Sequence, residues 1–478
     1  MSPCIGTRAL CALAFFVAGS MHAATDADLA AIRDEIRHLK ETYEARIKAL
    51  EDRLQKAETT GASTSAPAPA SAVAPAAAAA PAAAPPPVAA APSAPAAGAP
   101  ATGIAAFNPA ISAVLQGAYQ NLSQDPSHYV LYGFAPSGDI APGPRSFSIA
   151  ESELTLSASV DHLFAAALTF SLTPEDTVAV EEAYGIATGL PDGLKPKFGR
   201  FFSGLGYLNE QHQHVWDFYD APLVYQAFLG GQYTQNGVQF KWVAPTDTFV
   251  ELGGELGSGY GYPGNDRNKN GIGDGVAYVH AGGDVGDSVS WRAGVSYLQT
   301  AAADRTYAQS DAYGREAQVS FTGKSRLAVA DFVWKWAPNG NSQQTNVKLQ
   351  GEYMWRRETG DLTYDADSAL NLAQTSSYAS RQSGFYVQGV WQFLPQWRVG
   401  ARYDWLDPGT VDYGANGTYL ADTSFNPQRT SVMFDWTPSE FSRFRLQFAQ
   451  SKVRPDVTYN QFFLQYILTL GAHGAHRF

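Results

Sequence analysis

The sequence predicts an all-β fold, a transmembrane antiparallel β-barrel of about 16 strands, preceded by a short N-terminal α-helical coiled coil. Three observations predict it. Of the 60 Phe, Trp and Tyr residues, only Phe15, Phe16 and Tyr43 precede residue 107, so the apolar content of the chain is concentrated in its last four-fifths. From Phe107 onward apolar and polar residues alternate with a period of two in segments of about ten residues, as strands with one dry and one wet face do. The connections between these segments alternate between very short and long, the asymmetry of outer-membrane barrels. No apolar run approaches the ~18 residues that a membrane-crossing helix needs.

Taken in order, residues 1–23 read as a secretory signal, with Arg8 before an apolar stretch from Ala9 to Ala18 and small residues at Gly19, Ser20 and Ala23. Both cysteines, Cys4 and Cys11, fall inside it, so the mature chain is expected to carry no thiol for disulfides, metal thiolates or nucleophilic catalysis. Residues 24–60 place Leu29, Ile32, Ile36, Leu39 and Tyr43 at a 3/4 spacing that Ile47, Leu50 and Leu54 resume after a stutter. A coiled coil this short gains its stability by self-association; the alternative is a solitary amphipathic helix lying on another surface. Residues 61–106 are almost entirely Ala, Pro, Ser and Gly, an extended linker that cannot bury a core.

Residues 107–478 form the barrel. Phe462, Leu464, Tyr466, Leu468 and Leu470 share one face of the last strand, with Gln461, Gln465 and Thr469 on the other. Sixteen such segments can be read, at 111–120, 147–160, 163–172, 178–188, 194–202, 238–244, 248–257, 275–285, 288–299, 326–336, 345–356, 383–393, 396–405, 428–437, 442–451 and 459–470. Connections after even-numbered segments are short, such as Asp161-His162 and Leu394-Pro395; several after odd-numbered ones run to ~17–35 residues. Trp334, Trp355, Trp391, Trp405 and Trp436 sit near segment ends, as interfacial girdles require. At this width a water-filled lumen is expected. Its assignable charges are mixed, Lys241, Arg398, Arg402 and Arg445 against Glu251, Glu255, Glu352 and Asp404, so neither anion nor cation preference follows.

The balance of 33 basic against 45 acidic residues, net −12, argues against a nucleic-acid partner. No nucleophile elbow or phosphate-binding glycine loop stands in a supporting context, and no enzyme is expected. The longest connection, residues 203–237, is a candidate lumenal loop. It carries Glu210, His212 and His214 on one side of an extended chain, with Asp217 and Asp220 following. Two imidazoles with carboxylates suit zinc; the alternative is that they line a wet constriction. Asp266, Asn268, Asn270 and Asp274 have the spacing of a calcium loop without its closing glutamate, and read either as a calcium site or as a polar external turn. His473 and His476 near the chain end are a periplasmic pair, either metal-binding or solvated. No cofactor is required by any of these readings.

Several segments resemble the family of zinc-regulated TonB-dependent outer-membrane receptors: Gly199-Arg200-Phe201-Phe202-Ser203-Gly204 through Leu208-Asn209-Glu210-Gln211-His212, Ala330-Asp331-Phe332-Val333-Trp334-Lys335-Trp336-Ala337-Pro338-Asn339-Gly340, and Gly471 to Phe478. More distantly, the sixteen-strand plan and the coiled coil resemble phosphate-selective-type trimeric porins. The resemblance implies expression linked to zinc supply and uptake across the outer membrane. TonB-dependent transporters hold a plug inside 22 strands, whereas only a coiled coil and a spacer precede this barrel, so TonB interaction is not favoured. The first expectation is therefore a porin-like channel for small solutes in the bacterial outer membrane, embedded in its lipid and homotrimeric, with the coiled coil in the periplasm. The alternatives are a TonB-dependent receptor for zinc or a zinc complex, and a tether from the outer membrane to peptidoglycan.

Overall fold

The computed structural model describes residues 110–135, 140–174, 177–265, 270–421 and 423–471. The signal, the heptad-spaced segment, the Ala/Pro linker and the His473/His476 pair lie outside the described residues. Seventeen strand segments form one antiparallel sheet: β1 (Ala110–Leu122), β2 (Ser146–Ser148), β3 (Ser152–Ser159), β4 (Phe164–Leu172), β5 (Val178–Ala187), β6 (Leu194–Phe202), β7 (Thr234–Val243), β8 (Phe249–Gly257), β9 (Asp274–Val285), β10 (Val289–Ser310), β11 (Glu316–Trp336), β12 (Asn346–Tyr364), β13 (Gln374–Leu394), β14 (Trp397–Asp412), β15 (Gln428–Ser439), β16 (Ser442–Arg454) and β17 (Val457–Gly471). β2 and β3 are one stave broken at Ala150, which takes φ +44°; both pair with β1. β1 also pairs with β17, Gly117 opposite Tyr466, and this closes a sixteen-stave barrel without an edge.

The faces are inverted relative to a water-soluble sandwich. Along β15, Arg429, Ser431 and Asp435 point inward at 2%, 0% and 0% exposure, whereas Val432 and Phe434 between them are 49% and 37% exposed. Along β17, Gln461 and Gln465 are buried and Phe462, Leu464 and Leu470 are exposed. Polar side chains inside and apolar ones outside is the arrangement a lipid-facing barrel needs.

Two aromatic rows mark the limits of the apolar band. At the short-turn end, Trp397, Trp436, Phe444 and Tyr466 are cross-strand neighbours on β14 to β17, with successive ring centroids 5.7, 5.5 and 4.6 Å apart. Towards the other end, Tyr353, Phe385 and Trp405 form a second row across β12 to β14. Trp397 and Trp405 belong one to each row and stand ~27 Å apart along the strand at 3.4 Å per residue, ~21 Å in height at a tilt of ~40°, against the ~25 Å of an outer-membrane apolar band.

All sixteen predicted segments are strands, but several predicted long loops are not loops. β10 runs to Ser310 and β11 begins at Glu316; β12 runs to Tyr364 and β13 begins at Gln374. Beyond the upper aromatic row both faces of these staves leave the lipid, so the apolar alternation stops while the hydrogen-bonded ladder continues. The lumen also departs from expectation. Part of it is a dry core, where Leu223, Val224, Tyr225 and Phe228 from a loop pack against Leu327, Val329, Met354 and Leu406 of the wall.

Candidate functional site: a loop folded into the lumen

Residues 203–233, between β6 and β7, fold inward and carry the one α-helix among the described residues, α1 (Leu223–Leu229), whose seven side chains are all buried. Pro222 opens the helix and Gly230, at φ +67°, closes it in the left-handed conformation that glycine adopts without Cβ strain. The neck is pinned by Asn209. Its Nδ2 donates to the carbonyls of Ser203 (2.9 Å) and Tyr233 (2.8 Å), and its Oδ1 accepts from the Tyr233 amide at 2.8 Å. One side chain thus holds both ends of the loop together.

A loop buried in a barrel must satisfy its backbone donors from the wall. Acidic and polar wall residues do this. The amide of Gly204 donates to Glu255 (2.8 Å), that of Gly206 to Ser296 (3.1 Å), that of Leu208 to Glu352 (3.0 Å) and that of Leu223 to Asp404 (2.9 Å). Glu352 also accepts the hydroxyls of Tyr225 and Tyr386, at 3.0 and 2.8 Å. The lumenal carboxylates read from the sequence as a lining are therefore mostly loop anchors.

The predicted ligand set separates. Glu210 pairs with Lys241 on β7; burial opposes its charge, but Lys241 and then Lys197 bring its carboxyl down to about 2. Asp217 pairs with Lys348 on β12 and lies 3.2 Å from Arg398 on β14. Burial again works against ionisation and is overcome by these two cations, which hold the carboxyl at about 2. Asp220 lies 2.8 Å from Arg402 and 2.5 Å from Arg429, and its carboxyl is lowered by Arg429 and Arg402 against the cost of burial. Each carboxylate is drawn to a wall cation because an unpaired buried charge is far costlier than a paired one.

His212 and His214 stay together, with ring centroids 5.7 Å apart, and meet wall glutamates instead. His212 Nδ1 lies 3.0 Å from Glu153 of β3 and 3.3 Å from Glu181 of β5, its Nε2 lies 3.1 Å from Glu182, and His214 Nδ1 lies 2.8 Å from Glu153. Burial alone would lower the His212 imidazole, but Glu153 and Glu181 hold it well above its ordinary range. Glu181 and Glu182 both reach inward because a bulge opposite Thr169 and Phe170 adds a residue to β5. These three glutamates were missed in the sequence; a pair of acidic residues within an alternating strand was the available signal.

Of the predicted calcium set, Asp266 and Asn268 lie outside the described residues, Asn270 is exposed, and Asp274 is buried at the start of β9, where it accepts the hydroxyl of Tyr233. Asp274 therefore serves the root of the lumenal loop. Beside that loop, a polar cavity of about 190 Å³ lies against the β1, β15 and β17 wall, with Gln116, Gln465, Arg429, Asp220 and Tyr219 among its lining.

Comparison with known proteins gives a sequence relative. A protein of Aquifex aeolicus (strain VF5), described as an uncharacterized protein, is 32% identical over 359 residues, which cover 70% of this chain and 70% of its own length. No protein-family model matches. Solved structures to which the chain is similar include the outer membrane channel DcaP of Acinetobacter baumannii, at 11% identity and a TM-score of 0.47, covering 75% of this chain and 96% of that one. An anion-selective porin from Comamonas acidovorans matches at 9% identity and a TM-score of 0.43, covering 76% and 99%. The trimer form of OmpT, an outer membrane protein of Vibrio cholerae, matches at 12% identity and a TM-score of 0.46, covering 75% and 98%.

Proposed function

The chain belongs to one family with the Aquifex aeolicus protein, and we propose that it is an outer-membrane channel for small polar solutes, narrowed by the loop of residues 203–233. The inverted barrel carries this reading: inward Arg429, Ser431 and Asp435 against outward Val432 and Phe434 give a wall that faces lipid outside and polar groups inside. A sixteen-stave barrel is wide enough for an aqueous path. The loop fills part of that width, and the polar cavity of about 190 Å³ beside it supports a path for water and solute on that side. Cations and carboxylates neutralise one another across the loop–wall contact, so the channel discriminates by size before charge.

Recording from the pure protein in planar bilayers tests this. Discrete ion-conducting steps of low charge selectivity are expected. An absence of steps from protein shown to be folded would overturn the channel and favour the TonB-dependent receptor, whose uptake would stop in cells lacking TonB.

The heptad spacing of Leu29, Ile32, Ile36 and Leu39 supports assembly as a homotrimer, with the Ala/Pro linker reaching toward peptidoglycan. Deleting residues 24–103 is expected to lower the oligomeric mass and abolish sedimentation with peptidoglycan; retention of both would remove this part of the reading. The link to zinc supply rests on the resemblance of the barrel segments to zinc-regulated receptors. Induction of the protein under zinc chelation is its direct readout.

A further inference from the structure

We propose that His212 and His214 of the lumenal loop, together with Glu153 of β3 and Glu181 of β5, form a binding site for one divalent transition-metal ion that staples the loop to the barrel wall. Three atoms converge, His212 Nδ1, Glu153 Oε2 and Glu181 Oε2. The imidazole nitrogen lies 3.0 and 3.3 Å from the two carboxylate oxygens. All three are buried, and none has a partner in hydrogen-bonding geometry. Buried polar atoms are normally satisfied; here one imidazole nitrogen stands in ion-pair range of two carboxylate oxygens without hydrogen-bonding geometry to either, and a cation seated between the three would satisfy all of them.

The surrounding distances fit an ion. One donor atom each from Glu153, His212 and His214 lie within 4.8 Å of one another. Donors bound at ~2.0–2.2 Å to a tetrahedral centre stand ~3.3–3.6 Å apart, so the approach required is small. The second ring nitrogen of His212 lies 3.1 Å from Glu182 Oε2, which places a carboxylate behind the ligating imidazole as metal sites commonly do to fix ring orientation. The donor set selects the metal class. Two imidazoles with carboxylates suit zinc and its first-row neighbours, whereas calcium and magnesium take oxygen alone.

The site joins elements that are distant in the chain. β3, β5 and the loop each contribute, and Glu153 receives both histidines. An ion here would hold the loop to β3 and β5, in addition to the Asp217 and Asp220 pairs that fix it to β12, β14 and β15.

The test adds zinc alone to the full-length protein in detergent and follows competition with a chromophoric chelator. One equivalent per chain is expected. His212→Ala/His214→Ala should lose ~100-fold or more in affinity, and Glu153→Gln and Glu182→Gln ~10–100-fold, whereas His473→Ala/His476→Ala should bind like wild type. Zinc-edge X-ray absorption of the wild-type protein, which needs no variant to fold, should show two imidazoles with oxygen donors. No stoichiometric binding, equal affinity in wild type and the first double variant, loss confined to the His473/His476 variant, or fewer than two imidazoles in the absorption spectrum would each overturn the site.

Discussion

Asp217 of the lumenal loop and Arg398 of β14 are 181 residues apart in the chain and 3.2 Å apart in the barrel. Lys348 of β12 shares the same carboxylate, and Arg398 reaches on to Asp435 at 2.5 Å. One loop residue is thereby built into the charge ladder of the wall.

Asp217→Asn should loosen the loop. Removing one partner of a buried ion pair costs ~3–5 kcal/mol, but Arg398 keeps Asp435, and Lys348 and Arg398 retain 17% and 21% side-chain exposure. A loss of ~2–3 kcal/mol in detergent unfolding is expected, with larger and noisier single-channel conductance. An unchanged conductance would show that the loop does not set the constriction.

The same residue sets an acid limit. Its carboxyl lies at about 2 in the folded barrel against ~3.9 in an unfolded chain. A lowered value means that the contribution to stability is complete above ~4 and disappears as pH falls through about 2. Conductance should change between pH ~4 and ~2, and this acid step should shrink in Asp217→Asn. An acid step of equal size in the variant would assign it to another group.

Gly206→Ala should unseat the loop more than a turn glycine would. Gly206 sits at φ +71°, and a Cβ there would stand 2.3 Å from Oε2 of Glu352, the residue that anchors Leu208 and Tyr225. Strain of ~1–3 kcal/mol is expected. Gly286→Ala, at φ +62° with open space around it, should cost only the left-handed backbone penalty of ~1–2 kcal/mol. Equal effects of the two changes on conductance would argue that the Glu352 contact is dispensable.

Leu464→Arg reports on what surrounds the barrel. Leu464 faces outward on β17. An arginine there, two residues from the Tyr466 row and so between interface and midplane, costs ~1–3 kcal/mol, whereas an exposed leucine replaced in water changes stability by ~0.5 kcal/mol or less. Folding into lipid vesicles should be impaired by the larger amount; the smaller amount would mean that this face meets water.

The staves were legible because lipid imposes a strict alternation. Phe462, Leu464 and Tyr466 must face out, and Gln461 and Gln465 must face in. Where that constraint ends, as at Ala301 and Asp304 on the upper part of β10, the pattern faded and strand was read as loop. The site was legible by half. His212 and His214 stood out locally, but their partners Glu153, Glu181 and Glu182 lie on staves 30 to 61 residues away in the chain, and the position of Glu181 depends on a bulge that no periodicity announces. Asp217 and Asp220 were plausible ligands by spacing, and only the placement of Lys348, Arg398, Arg402 and Arg429 on the facing wall shows why they are taken up elsewhere.

The staves are unequal: β3 to β8 run 8 to 10 residues, whereas β10 to β13 run 19 to 22. At ~3.3 Å per residue the long side extends ~35 Å further along the strand, about ~27 Å in height at a tilt of ~40°. The mouth is a parapet on one flank and a low sill on the other. On the channel reading proposed above, a macromolecule descending on the mouth would meet the tall flank first, and exclusion by bulk would begin at that rim.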